Sequence, residues 1–341
     1  MIRNMKSWQE EIIKSGSVAA LPIMTYPGLQ LTHESVMQAT TNAFSQARCM
    51  ESLARRYSTV ASVSMMDLSV EAEVFGSRVV MSETEAPSIR GSIVTDRMSA
   101  ESLPVPNVGD GRTGIYLEAV EIAAQRIVDR PVFGGMIGPL SLAVRLMEMK
   151  RLLLGLRRDP STVHTVLTKT TAFLAGYAKA IKATGANGMI IAEPAAGLLS
   201  PAECDSFSSD YVRTIVEAVQ DSSFSVILHN CGNTVKLVDS MVSTGAAGFH
   251  FGNGVSMAEV LRQVPPDRLA IGNIDPAGIF KLGTPEKVRE RVSNLLSDVG
   301  YTPNFVLSSG CDIPPSAPLE NVDAFFDALE EFNGSSETQV S

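Results

Sequence analysis

Reactive and aromatic side chains are scarce in this chain. Its 341 residues include four cysteines, four histidines and one tryptophan, and aromatics make up only 6%. Cys49, Cys204, Cys231 and Cys311 are too few and too scattered for a disulfide framework, so a reducing cytoplasm is the expected compartment. No stretch approaches the ~18 consecutive apolar residues of a membrane-spanning helix. The segment Met1–Trp8 lacks the apolar run of a signal peptide. Lys and Arg form no long run and the formal net charge is −9, which argues against a nucleic-acid backbone as the main partner but leaves room for a protein with a basic face. No dinucleotide-binding fingerprint follows the first predicted strand. The Gly109, Gly111 and Gly114 cluster lacks both the GK[ST] sequence and the strand-then-helix setting of a phosphate loop.

What is present is a hydrophobic content of 45%, ample for a large core, arranged as short apolar runs alternating with helical periodicity. The runs 21–26, 63–68, 132–137, 188–193, 224–229, 248–251, 269–274 and 305–309 read as eight strands. Their nearly continuous apolar character fits strands buried on both faces of a parallel sheet. A helix is expected before the first strand at 5–15, and between strands at 35–57, 115–127, 160–182, 200–220, 234–243, 256–262 and 284–296. A closing helix covers 318–332. Asp159-Pro160, Ser200-Pro201-Ala202-Glu203 and Thr284-Pro285-Glu286 mark helix starts through caps and proline at the first helical position. The count predicts a single distorted (β/α)8 barrel over residues 1–333 with an N-terminal helical extension, a lid-like insertion at about 85–114 and a flexible polar tail at 334–341.

In such a barrel the loops after the strands form the active face. Asp67, Glu193, His229, Cys231, Asp275 and Cys311 all fall at or just beyond strand C-termini. His229-Asn230-Cys231 places two metal-competent side chains on one side of an extended segment. Cys311 would complete a set of one nitrogen and two sulfurs, the number that leaves a catalytic zinc one position open. Spacing alone leaves the alternative standing: a buried thiol also behaves as a small hydrophobe, and a strand-end histidine is often only hydrogen-bonded. The strands ending at His229 and Ser309 are not neighbours, so their loops must converge over the barrel mouth. His250, between Phe249 and Phe251, is either structural or points into the barrel beside the metal ligands. Asp67 either caps the segment after its strand or orients a polar substrate.

Several segments together resemble the uroporphyrinogen decarboxylase superfamily, and within it the zinc-dependent, corrinoid-linked methyltransferase branch. They are Met66-Asp67-Leu68 with Glu71 and Gly76, Gly138-Pro139, His229-Asn230-Cys231-Gly232-Asn233, Gly272-Asn273-Ile274-Asp275, and Ser309-Gly310-Cys311-Asp312-Ile313-Pro314 followed by Pro318-Leu319-Glu320-Asn321. The resemblance implies a zinc ion held by His229, Cys231 and Cys311. It implies catalytic roles for Asp67 and Glu193, and substrate contacts from Met66, Glu71, His250, Asn273 and Asp275. It further implies a methylcobalamin-type corrinoid carried by a partner protein and a small methyl donor or acceptor. A homo-oligomer is compatible with it. The sibling activity is decarboxylation of a tetrapyrrole without a metal, which in that family uses an arginine-rich N-terminal segment; here 21–28 contains no arginine. A non-catalytic partner that only binds a corrinoid protein is the third reading.

Overall fold

The computed structural model describes residues 3–339. Among these residues ten strands are formed: β1 (Ala19–Ala20), β2 (Ser62–Val63), β3 (Arg78–Val80), β4 (Ser88–Arg90), β5 (Val132–Ile137), β6 (Gly188–Ala192), β7 (Ser225–Asn230), β8 (Gly248–Phe251), β9 (Leu269–Ile274) and β10 (Phe305–Ser309). Eight of them make one sheet in the order β1-β10-β9-β8-β7-β6-β5-β2, with every pairing parallel. The two end strands close the ring through Val60 N–H donating to the Ala20 carbonyl at 3.0 Å and the Thr25 hydroxyl donating to the Val63 carbonyl at 2.6 Å. This is the (β/α)8 architecture expected from the alternating runs.

The first barrel strand, Ala19–Ala20, lies just before the run expected at 21–26, and the second, Ser62–Val63, is shorter than the run expected at 63–68. Pro22 interrupts the first, and past Leu21 its contact with β10 passes to a side chain, with Ile23 N–H donating to Ser309 Oγ. The helical region at 35–57 is two helices, Val36–Thr41 and Ala43–Arg56, divided at Asn42, whose extended backbone and side chain cap the second. The capping box at Ser200 starts Pro201–Cys204, which continues through a π-turn at Asp205–Ser209 into Asp210–Val219. The closing helix extends beyond Phe332 to Gln339, through most of the segment expected as a tail; residues 340 and 341 lie outside the described residues.

The insertion contains β4, which pairs antiparallel with β3 just ahead of it, and a helix, Arg97–Ser102. It is strapped down. Ile93 and Val94 both donate to the Leu146 carbonyl, and Lys169 Nζ donates to the Ala100 and Leu103 carbonyls at 2.9 and 2.7 Å.

Side-chain parity along the strands places the chemistry. Val63, Phe133, Ile190, Ile227, Leu269, Ile271 and Val306 fill the barrel interior, and Met5, Ile12 and Trp8 of the N-terminal helix Met5–Lys14 close it from below. Their neighbours Val226, Leu228, Phe249, Phe251, Phe305 and Leu307 face outward into the layer beneath the helices. Alternation therefore carries His229, His250 and Ser308 inward at the top of the barrel. The register sets His229 directly opposite His250. Glu193 has the opposite parity to Ile190, which turns it away from the axis.

Candidate metal centre

One ring nitrogen of His229 and the sulfurs of Cys231 and Cys311 supply three potential ligand atoms that all lie within 4.8 Å of one another. Close backbone packing closes the gap between the non-adjacent strands β7 and β10. A Cβ on Gly252 would sit 2.5 Å from Cys231 Cα, and one on Gly310 would sit 2.6 Å from Asn253 N. Only glycine lets the Cys231 turn lie across the end of β8, and the Cys311 turn lie against that same loop. Asn273 holds the loop in place, its Nδ2 donating to the Gly252 and Val255 carbonyls at 2.8 and 2.9 Å.

A chain of hydrogen bonds sets the tautomer of His229. Ser308 Oγ donates its only proton to the Leu21 carbonyl at 2.7 Å. At 2.8 Å from His250 Nε2 it therefore accepts, so that nitrogen carries a proton. Burial pushes His250 well below the ordinary histidine range, and the neighbouring His229 adds to this, which keeps it neutral with a bare Nδ1. His229 Nδ1, 2.7 Å away, must then be the donor. This leaves His229 Nε2 bare, and that atom is buried with no hydrogen-bond partner. An imidazole nitrogen left bare in this way beside two sulfurs is a donor set that could hold a metal ion. The sulfurs interact directly: hydrogen bonding from Cys311 holds the Cys231 thiol far below the ordinary range, and the neighbouring thiolate holds Cys311 up.

The acids occupy distinct environments. Asp67 accepts from Ser69 N–H and Oγ at 2.9 and 2.6 Å, from the Tyr116 hydroxyl at 3.1 Å, and from Arg112. Arg112, 6% exposed, also donates to Glu73 at 2.5 Å and Ser69 Oγ at 2.8 Å. Glu71 accepts from Ile137 N–H at 3.0 Å, while its second oxygen is buried without a partner, and burial pushes its carboxyl up to about 7. Glu193 accepts from Leu140 and Ser141 N–H at 2.8 Å each and from the Ser208 hydroxyl. It thus caps the helix Pro139–Met147, and burial raises its carboxyl despite those bonds. Asp275 similarly caps the turn after β9, accepting from Ala277 and Gly278 N–H. Met66 packs over Gly135 of β5.

The predicted residues therefore separate by what they touch. His229, Cys231 and Cys311 converge. His250 spends both ring nitrogens on His229 and Ser308. Glu193, Asn273 and Asp275 hold backbone. Sequence reasoning missed Arg112, Tyr116, Ser308, Tyr26 and Asp312. Arg112 lay in the segment expected as a lid-like insertion, although it opens the helix Arg112–Arg126. Ser308 was recoverable, since it shares the inward parity of Val306 and lies two residues from it.

The family described as Uroporphyrinogen decarboxylase (URO-D) matches residues 24–332. The chain is 30% identical over 270 residues, 78% of each protein, to "Methylcobamide:CoM methyltransferase MtbA" of Methanosarcina acetivorans. It is 27% identical over 300 residues to "Uroporphyrinogen decarboxylase" of Coxiella burnetii, covering 84% of this chain and 81% of that one. Its fold matches a solved "methyltransferase from Methanosarcina mazei" with a TM-score of 0.85 at 23% identity, over 96% of this chain and 99% of that one.

Proposed function

This chain belongs to the uroporphyrinogen decarboxylase (URO-D) family, and we propose that within it the protein is a zinc-dependent methyltransferase acting between a corrinoid protein and a small thiol or other heteroatom substrate. One observation carries the proposal: a bare, buried His229 Nε2 and two cysteine sulfurs converge at the barrel mouth of a chain related to methylcobamide methyltransferases. A zinc ion bound there would supply a Lewis acid that favours the thiolate form of a substrate thiol.

The remaining roles belong to the protein's own groups. His250 and Ser308 hold His229 in the ligating tautomer. Asn273, Gly252 and Gly310 keep the two cysteine turns in register. Asp67 anchors Arg112 and Tyr116 and so fixes the wall beside the mouth. Glu193 anchors the adjacent helix N-terminus rather than exchanging protons with substrate. Met66, packed over Gly135, and Glu71, whose second oxygen has no partner, are the substrate contacts on the β2 side. Leu198 and Leu282, 60% and 77% exposed, stand on the loops after β6 and β9 and offer an apolar rim for the corrinoid partner. Four free cysteines fit a reducing cytoplasm.

Decarboxylation of a polycarboxylate is disfavoured because Arg112 is already committed to Asp67 and Glu73, and 21–28 supplies no arginine to replace it. The deciding experiment combines metal analysis with turnover. Purified protein should contain about one zinc per chain, and Cys231→Ala and Cys311→Ala should lose it. Methyl transfer from free methylcobalamin to thiols, and the reverse assay with cobalt(I) corrinoid and methylated donors, gives the direction. Zinc-free protein, or zinc retained by both variants, refutes the reading. Zinc without turnover in either direction leaves only the binding-partner role.

A further inference from the structure

The barrel mouth contains polar atoms that the protein itself leaves without partners. Both carboxylate oxygens of Asp312 are shielded from solvent and have no hydrogen-bond partner. The same holds for the hydroxyl of Tyr26, a residue only 2% exposed. The two come from opposite ends of the chain and are brought together by Ile313 N–H donating to the Ile23 carbonyl at 2.9 Å. Asp312 directly follows the ligand candidate Cys311.

The neighbouring acid is treated very differently. Asp67 has four donors, including the Arg112 guanidinium. Folded proteins rarely leave a buried carboxylate and a buried phenol both unmet, and such exceptions mark places where something else completes the bonding. A carboxylate only accepts, so the missing group must donate. A positive charge bearing several N–H donors matches a buried carboxylate best. An anionic group such as a sulfonate would instead meet a like charge. Arg112 is already spent, and Arg145, on the helix Pro139–Met147, is exposed.

We propose that Asp312 and Tyr26 form a recognition site for a protonated amine on the small substrate whose heteroatom faces His229, Cys231 and Cys311. This rests on the methyltransferase reading and narrows it: the substrate is an aminothiol or a related amine-bearing compound, in contrast to the "CoM" in the names of the Methanosarcina relatives.

Calorimetric titration of the zinc-loaded full chain with 2-aminoethanethiol, 2-mercaptoethanol and 2-mercaptoethanesulfonate tests this. The amine should bind at least about tenfold more tightly than the neutral thiol, and the sulfonate most weakly. Asp312→Asn, with its zinc content verified, should bring the three within about threefold of one another. Tyr26→Phe, remote in sequence from the ligands, should narrow the amine preference without altering zinc content. Tightest binding of the sulfonate, or an amine preference that survives both substitutions, overturns the proposal while leaving the thiol reading intact. Failure of all three thiols to bind overturns both.

Discussion

Replacing Ser308 by alanine tests the hydrogen-bond chain behind the metal centre. The hydroxyl does two things: it accepts from His250 Nε2–H and donates to the Leu21 carbonyl. In Ser308→Ala, His250 loses its only acceptor at Nε2 and is free to carry its proton on Nδ1. Two N–H groups cannot face each other across the 2.7 Å contact, so His229 would have to move its proton to Nε2, the atom aimed at the sulfurs. A neutral hydrogen bond contributes about 1 kcal/mol, and a buried donor left unmet costs about 1–3 kcal/mol. Loss of such an outer partner typically lowers metal affinity by about 10–100-fold, equivalent to about 1.4–2.7 kcal/mol. The two figures agree. Zinc affinity measured by competition with a chromophoric chelator should therefore fall by that factor in Ser308→Ala and recover substantially in Ser308→Thr, which restores a hydroxyl. Nitrogen-15 spectra of histidine-labelled protein should show His229 protonated at Nδ1 in the parent and mixed in Ser308→Ala. If zinc affinity changes by less than about twofold and the His229 tautomer is unaltered, the relay argument is wrong.

The other predictions concern the acids and the rim. Burial raises Glu71 from 4.5 to about 7, so its folded form binds a proton more tightly than its unfolded form. The associated stability is complete below the unfolded value and is lost as pH rises from about 4.5 to 7, roughly 3 kcal/mol in all. Glu71→Gln should match the parent near pH 4 and exceed it by up to that amount at pH 8 in chemical denaturation; equal offsets at both pH values would show that Glu71 is not the titrating group. Asp67→Ala leaves Arg112 buried beside only Glu73, and should cost about 3–5 kcal/mol of unfolding free energy. A loss below about 1 kcal/mol would mean the pair is solvated. Leu282→Lys should weaken association with the corrinoid protein while leaving turnover with free methylcobalamin unchanged; equal loss in both assays would place Leu282 in the reaction site instead.

The sequence alone determined the barrel, because eight short apolar runs separated by capped helices have few other ways to bury both faces of a parallel sheet. It also determined the three candidate ligands, because His-x-Cys at a strand end and a second cysteine turn are local patterns. For His250 the sequence left two readings, structural or pointing into the barrel, and the register opposite His229 chose the second. The tertiary structure decided what each side chain does with its polar atoms. Whether Glu193 meets substrate or caps the helix Pro139–Met147 depends on where that helix docks. Whether Asp67 is free depends on Arg112, 45 residues away. The His229 tautomer depends on Ser308 and the Leu21 carbonyl, which belong to opposite ends of the chain. Hydrogen bonds act over about 3 Å, and partners this far apart in sequence meet only when the ring closes.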